Sequence, residues 1–198
     1  MRHISPLNLD INEDLDKNLP KKISILEKIQ QRNKNGEFDY LKNEIDNAKN
    51  IKDLIDVSCL KSPQIKGLLI EEFICKKLGW KHVLPNKHVG DGYSIDEKRH
   101  YEIKTSFANN KIVIKQIRLF QKIDRYLCIH FDEYNIDDSI VFVLSHEEMA
   151  NEVKDLGKKT SNIRRKKCFD IEIEFNSNEY NRWIKLYKND FIKQKIFK

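Results

Sequence analysis

The sequence predicts a mixed α/β domain with a central mixed β-sheet flanked by helices, preceded by a helical appendage. From Trp80 onward, segments with the two-residue period of strands alternate with segments that have the period of helices. Before that point, residues 12–56 show helix-like spacing of apolar positions, interrupted at Asn35-Gly36. We therefore expect residues 1–60 to form a helical region used for packing or dimerisation, and residues 61–198 to form the functional core.

The composition is that of a highly charged globular chain. It has 198 residues, with 39% hydrophobic and 34% charged side chains and a formal net charge of +6. The basic excess lies after residue 60, which permits a polyanionic partner. No apolar run approaches the ~20 residues that cross a bilayer. The N-terminal residues also lack a secretory apolar region, so we expect a cytoplasmic location and no membrane partner.

Several metal and nucleotide motifs are missing from the sequence. The four cysteines show neither the paired spacing of a zinc site nor the density of a disulfide scaffold, so we predict buried, reduced thiols. A P-loop and an H-E-x-x-H pattern are also absent. We therefore expect no nucleotide cofactor and no histidine-bound catalytic metal. The cysteines are Cys59, Cys75, Cys128 and Cys168.

Local signals predict the elements of the core. Ser62-Pro63 and Gly79 mark the start and the end of a helix. Residues 93–96 and 100–105 predict a hairpin with a polar turn, and Ser145 is suited to cap a further helix. The remaining predictions are strands at 83–84, 112–114, 126–131, 140–144 and 169–175, a helix around 116–123, and a final helix from about residue 179.

Three charged residues around the predicted hairpin give the strongest functional signal. Glu102 and Lys104 are two residues apart on a strand, so their side chains project from the same face. The hairpin brings Asp91 back toward them. Two neighbouring carboxylates repel each other unless a cation lies between them, and their oxygens suit Mg²⁺. Such an ion can polarise a phosphodiester and activate water, while the lysine offsets charge that develops on phosphorus.

This pattern resembles the PD-(D/E)XK nuclease superfamily, whose site combines an acidic residue, a β-hairpin, and an acidic residue two positions before a lysine. Asp91 and Glu102-Ile103-Lys104 match these parts, although Gly90 stands where the family name has proline. The segment Gly67-Leu68-Leu69-Ile70-Glu71 looks like the G-x-x-x-E helix motif of many members, which favours Glu71 over Glu72. The resemblance covers about residues 62–145.

The resemblance implies a restriction-endonuclease-like core. It also implies a catalytic set of Asp91, Glu102, Lys104 and Glu71, with Mg²⁺ bound by Asp91, Glu102 and Ile103. Because the chain carries no ATPase, helix-turn-helix or zinc module, it is most similar to a homodimeric type II restriction endonuclease that cuts a short palindrome in double-stranded DNA. Two alternatives stay open. One is another nuclease of the superfamily, acting in junction resolution, repair or mobile elements, and the other is a DNA-binding protein without catalysis.

Candidate DNA contacts follow Lys104 and occupy the most basic run of the chain. Residues 158–167 contain six positive charges and no negative one, which suits contact with phosphates. Arginine and asparagine side chains can also pair with the edges of purines. The predicted DNA contacts are Thr105, Ser106, Ser161, Asn162, Arg164, Arg165, Lys166 and Lys167.

Overall fold

The computed structural model describes residues 43, 46–48, 50–58, 63–83, 89–132, 134–159 and 168–198. The chain divides into two compact units, Met1–Phe73 and Ile74–Lys198. Most of the predicted N-terminal helical region and residues 160–167 of the basic run lie outside the described residues. None of the described helices is long and apolar enough to span a membrane.

The helix at the end of the N-terminal region is amphipathic and is capped at its start. Helix α1 (Ile51–Ser58) buries Ile51, Leu54 and Ile55, whose spacing places them on one face. The side chain of Asn50 accepts a hydrogen bond from the Asp53 N–H at its start (2.9 Å). These contacts confirm the helical prediction for the end of the N-terminal region.

Helix α2 (Pro63–Leu78) ends where the sequence predicts. Gly79 has a φ of +68°, and its N–H bonds to the Lys76 carbonyl. The Trp80 N–H bonds to the Cys75 carbonyl, which completes a Schellman motif. Glycine is favoured at position 79 because other residues adopt this left-handed conformation only at a cost.

The second unit contains two sheets. Its described residues form the strands β1 (Lys81–His82), β2 (Gly92–Ser94), β3 (Arg99–Ser106), β4 (Lys111–Ile117), β5 (Arg125–His130), β6 (Ile140–Ser145), β7 (Lys158–Lys159) and β8 (Phe169–Glu174). The first sheet has the order β1-β2-β3-β5-β6, in which β3 and β5 are parallel and the other pairs are antiparallel. The second sheet has the order β4-β8-β7 and is antiparallel.

Three α-helices lie wholly within the described part of the second unit: α3 (His146–Leu156), α4 (Asn178–Tyr187) and α5 (Asp190–Phe197). Ser145 and Glu148 form a capping box at the start of α3, which confirms the predicted cap. The final helix predicted from about residue 179 begins at Asn178, but it is divided into two helices because the chain breaks at Lys188. The Asn189 side chain then caps α5 by accepting from the Ile192 N–H (2.9 Å).

The predicted helix around residues 116–123 is also wrong. Strand β4 continues through Ile117, and a turn at residues 119–120 follows it. Ile112, Ile114 and Ile117 are buried, and β4 pairs with β8 instead of forming a helix. This pairing ties residues more than 50 positions apart, so the local helical spacing is overridden. The strand predicted at 83–84 is displaced to β1, and Leu84 lies outside the described residues.

The core lies between the two sheets and is closed by helices. The first sheet contributes Tyr126, Cys128, Phe142 and Leu144, and the second contributes Ile112, Ile114, Ile171 and Ile173. Helices α3 and α4 add Met149, Val153 and Trp183. Mixed α/β architecture with a mixed central sheet is therefore confirmed, while a restriction-endonuclease-like core stays a prediction. Cys75, Cys128 and Cys168 are buried, as predicted, whereas Cys59 lies outside the described residues.

Candidate functional site

The backbone before β2 holds Asp91 against β3. Gly90 has a φ of +94°, and a Cβ at this position would lie 2.5 Å from the carbonyl oxygen of Tyr101. The Asp91 N–H donates to that same carbonyl (2.8 Å), and the Asp91 carboxylate oxygen Oδ2 accepts from the Ile103 N–H (2.8 Å). Proline cannot adopt this φ, and a Cβ would clash with β3, so the backbone at position 90 requires glycine.

Asp91 is thereby bonded on both sides of Glu102 along β3. Its main chain contacts the residue before Glu102, and its side chain contacts the residue after it. The structure thus brings the first acidic candidate to the part of β3 that carries the second. A carboxylate that accepts a backbone N–H is oriented by it and stabilised in the ionised form.

Glu102 and Lys104 form an ion pair in the middle of β3. The Lys104 Nζ lies 2.5 Å from the Glu102 Oε1, so the two side chains share one face, as their spacing predicts. Glu102 is only 5% exposed. The intervening Ile103 and the preceding Tyr101 are buried on the other face. A carboxylate at this depth needs a compensating positive charge, which Lys104 supplies.

The Glu102 carboxylate has capacity for further ligands. Among the described residues, Lys104 is its one hydrogen-bond donor. A carboxylate has about four acceptor positions on its two oxygens, so one ammonium does not saturate it. This pair therefore combines a buried negative charge with unfilled acceptor positions, which is the arrangement that a cation would complete.

The adjacent strand β5 supplies uncharged neighbours for this pair. Tyr126 lies beside Glu102, and Cys128 lies beside Lys104 in the parallel register. Burial, together with the Glu102 charge, raises the pKa of Tyr126 well above its usual range. Burial raises the pKa of the Cys128 thiol to about 12. Both groups stay protonated at neutral pH, so neither is a nucleophile there. The parallel pairing of β3 with β5, which sequence reasoning did not predict, creates this environment.

The oxygen ligands that Asp91 and β3 offer on this side of the strand fit Mg²⁺. In a strand, the N–H and the C=O of one residue point to the same side. The Ile103 carbonyl therefore faces the side of β3 on which the Ile103 N–H donates to Asp91. Ile103 can contribute only this main-chain oxygen. With carboxylates from Asp91 and Glu102, the donors are all hard oxygens. The described residues contain no group of three or more His, Cys, Asp or Glu placed to bind a metal. Water and phosphate oxygens would therefore have to complete the shell, as Mg²⁺ prefers.

Glu71 lies on α2, in the first compact unit, whereas the other three catalytic candidates lie in the second. Its carboxylate oxygen Oε1 is 3.7 Å from the position that a Cβ on Gly67 would occupy. The glycine one helical turn earlier therefore leaves space beside this carboxylate. Both Glu71 and Glu72 are half-buried.

The predicted DNA contacts fall into different environments. Thr105 is half-buried at the end of β3, whereas Ser106 is buried. The Ser106 hydroxyl accepts from the Val113 N–H (2.9 Å) and lies 3.4 Å from the His130 Nδ1. Ser106 therefore links β3 to β4 inside the protein. The other candidates, Ser161, Asn162, Arg164, Arg165, Lys166 and Lys167, lie outside the described residues.

Comparison with known proteins adds no assignment. No protein-family model matches the chain, and no curated protein matches it significantly. The residues around β3 and their geometry therefore carry the functional argument.

Proposed function

We propose that this protein is a Mg²⁺-dependent endonuclease that hydrolyses phosphodiester bonds in double-stranded DNA. One observation carries the proposal: the buried Glu102 carboxylate is paired with Lys104 and has no other donor among the described residues, beside an Asp91 carboxylate fixed to the same strand. This is the chemistry that a PD-(D/E)XK site requires.

The chain's own groups have distinct roles in this proposal. Mg²⁺, when bound, supplies a positive charge that polarises the scissile phosphate and lowers the pKa of water. Asp91, Glu102 and the Ile103 carbonyl would hold the ion, and the Ile103 N–H keeps Asp91 oriented. Lys104 is more exposed than Glu102, so its ammonium can reach the substrate side. There it holds the attacking water or offsets charge that develops on phosphorus.

Within this class, we propose a homodimeric type II restriction endonuclease that cuts a short palindrome. The support is the size of the chain, its basic C-terminal part and the absence of an ATPase motif from the sequence. A two-fold dimer places one site on each strand of a palindromic sequence. The run from Arg164 to Lys167 is the proposed contact with the DNA backbone.

The test is incubation of the purified chain with plasmid DNA and millimolar Mg²⁺, followed by sequencing of the fragment ends. One short palindrome at all ends is the expected result. Cleavage confined to branched DNA would instead assign a junction-resolving nuclease, and binding without cleavage would assign a non-catalytic DNA-binding protein.

A matched variant pair guards against a contaminating nuclease. Glu102→Gln removes the buried carboxylate of the site. Glu172→Gln removes a carboxylate that also pairs with a lysine on a strand, Lys111 at 3.1 Å, but that is exposed to solvent. We expect cleavage to be lost in the first variant and kept in the second. Equal activity of the two variants would contradict the proposal.

A further inference from the structure

A cavity of about 160 Å³ opens on the face of the first sheet opposite Glu102 and Lys104. Its floor consists of Tyr101, Arg125 and Val143, from the neighbouring strands β3, β5 and β6. All of its lining residues belong to the second compact unit. The walls are formed by Leu78, Trp80, Glu97, Asn189, Phe191, Ile192 and Lys195.

Aromatic rings give the cavity one apolar side. Trp80 stacks on Tyr101 with a centroid distance of 4.1 Å, and the Tyr101 hydroxyl donates to Glu97 (2.6 Å). These contacts fix both rings. Phe191 is 67% exposed, although phenylalanine is normally buried. A cavity of roughly 150 Å³ accommodates one benzene ring, so the space fits a single six-membered ring.

The charges that line the cavity favour an anion. Arg125 is half-buried, and the described residues give it no carboxylate partner. Lys195 lies 4.5 Å from the centroid of Phe191 and also has no acidic partner among those residues. Glu97 is already bonded to Tyr101 and lies 3.5 Å from Arg99. A half-buried, unpaired arginine is costly, and a phosphate would compensate it with bidentate hydrogen bonds.

The Asn189 side chain favours a ligand with a pyrimidine base over one with a phenyl ring. Its Oδ1 accepts from the Ile192 N–H, which leaves the amide NH₂ group to donate. A pyrimidine base presents carbonyl acceptors, whereas a phenyl ring presents none. The cavity thus combines an aromatic wall, an amide donor and two cations.

We propose that this cavity binds a pyrimidine nucleotide, with the base against the aromatic wall and the phosphate at Arg125 and Lys195. The inference does not depend on the proposed nuclease activity, because the cavity lies on the opposite face of the sheet. The nucleotide has two possible sources, a free nucleotide or a nucleotide within a DNA strand, and both present the same chemistry.

Tryptophan fluorescence provides the test. The chain has two tryptophans, and Trp183 is fully buried, so a ligand in the cavity quenches Trp80 selectively. We expect thymidine monophosphate to quench saturably and to bind roughly tenfold or more tightly than thymidine or inorganic phosphate, because each lacks one set of contacts. Trp80→Phe should remove the signal. No saturable quenching, or equal affinity for phosphate alone, would overturn the proposal, and tighter binding of phenyl phosphate would assign a phosphotyrosine site instead.

Charge variants locate the phosphate. Arg125→Gln and Lys195→Gln should each weaken binding of thymidine monophosphate roughly tenfold. The control Lys185→Gln, on α4 and outside the cavity lining, should bind like the parent. If Arg125→Gln does not fold, Lys195→Gln still decides the question, since its residue is exposed on α5. Unchanged affinity in Lys195→Gln would contradict the proposed position of the phosphate.

Two further experiments identify the source of the nucleotide and separate this proposal from the proposed nuclease activity. An oligothymidylate that binds more tightly than the mononucleotide supports a DNA strand as the source, and equal affinity supports the free nucleotide. The titration is repeated without Mg²⁺ on Glu102→Gln, which should bind thymidine monophosphate normally. If the parent chain binds thymidine monophosphate but never cleaves DNA, only the proposed nuclease activity is refuted. If the parent chain cleaves DNA but does not bind the nucleotide, only the proposed ligand of the cavity is refuted.

Discussion

Two buried glutamates in the second unit differ in how many donors surround them. Glu152, on α3, accepts hydrogen bonds from Arg182 (2.6 Å), Trp183 (2.9 Å) and Tyr187 (2.8 Å). Glu102, on β3, accepts only from Lys104 among the described residues. The exposed fractions are similar, at 1% for Glu152 and 5% for Glu102. Burial is therefore not the distinguishing property.

The number of donors indicates the role of each carboxylate. Glu152 joins α3 to α4 with donors on both oxygens, so the cost of its desolvation is offset within the protein. Within the described part of the chain, Glu102 has a single charged partner and further acceptor positions on its two oxygens. A saturated carboxylate acts as a structural anchor, whereas an unsaturated one beside a second carboxylate suits a cation. The comparison thus supports a metal site at Glu102 and a structural role for Glu152.

The largest expected effect is loss of cleavage in Glu102→Gln. The amide keeps the shape and can still accept from Lys104, but it removes the negative charge that would bind Mg²⁺. We expect cleavage to fall roughly a thousandfold or more, as for other groups that stabilise developing charge. The unfolding free energy should change by less than about 1 kcal/mol, because the Lys104 ammonium keeps a hydrogen bond to the amide oxygen and is the more exposed partner of the pair. Plasmid cleavage and urea unfolding measure the two quantities, and near-parental cleavage would refute the assignment.

Glu152→Gln should show the opposite pattern. The amide has one oxygen and one NH₂ group. In either orientation the NH₂ group faces a donor, which is the Tyr187 hydroxyl at one position and the Arg182 and Trp183 N–H groups at the other. We expect the unfolding free energy to fall by about 3 kcal/mol, the cost of breaking a buried charged network. Cleavage per folded molecule should stay at the parental value. A variant that is stable but inactive would reverse the roles of the two glutamates.

Much of the fold follows from local sequence signals. The cap at Ser145 and the glycine end of α2 depend on residues within one helical turn, and both predictions are confirmed. The hairpin of β2 and β3 also depends on nearby residues. In contrast, the sequence predicts a helix around residues 116–123, which overlaps the end of β4. The prediction fails because the pairing partner β8 lies far along the chain. Non-local pairing overrides local propensity and leaves no local signal.

The candidate site divides in the same way. The shared face of Glu102 and Lys104 follows from the two-residue period of a strand. The hydrogen bond from the Ile103 N–H to Asp91 depends on the positive φ of Gly90. A glycine in the sequence allows this conformation but does not require it. Glu152 could not be recognised as an anchor, since its donors follow about 30 residues later on α4. Geometry that joins distant segments requires the structure.

Lys104→Met tests whether a cation can replace Lys104, the one donor to Glu102 that the described residues supply. Removal of the ammonium leaves a buried carboxylate without compensation, so we expect a loss of about 2–3 kcal/mol in EDTA. Millimolar Mg²⁺ should recover part of this stability, because binding to the folded state alone stabilises it. The parallel variant Arg182→Met leaves Glu152 with two donors and should not respond to Mg²⁺. Thermal unfolding with and without Mg²⁺ measures both. Equal responses of the two variants would remove the distinction between the glutamates.

The smallest expected effect concerns pH. Burial and the hydrogen bond to Glu152 raise the pKa of Tyr187 to about 12. An unfolded chain releases this proton near pH 10, so the folded state holds it more tightly at alkaline pH. The stabilisation is therefore complete below about pH 10 and is lost as the pH rises toward 12. Tyr187→Phe should cost about 1 kcal/mol at neutral pH, since one donor to Glu152 is lost.

The gap in unfolding free energy between the parent and Tyr187→Phe should then narrow above about pH 10, because only the parent carries this titrating group. Urea unfolding at neutral pH and at two alkaline values measures the gap. Tyr134→Phe is the control, since it removes a tyrosine hydroxyl from a residue that is 86% exposed. A gap that stays constant with pH would show that Tyr187 does not hold its proton for Glu152. The carboxylate would then have fewer effective donors, and its contrast with Glu102 would weaken.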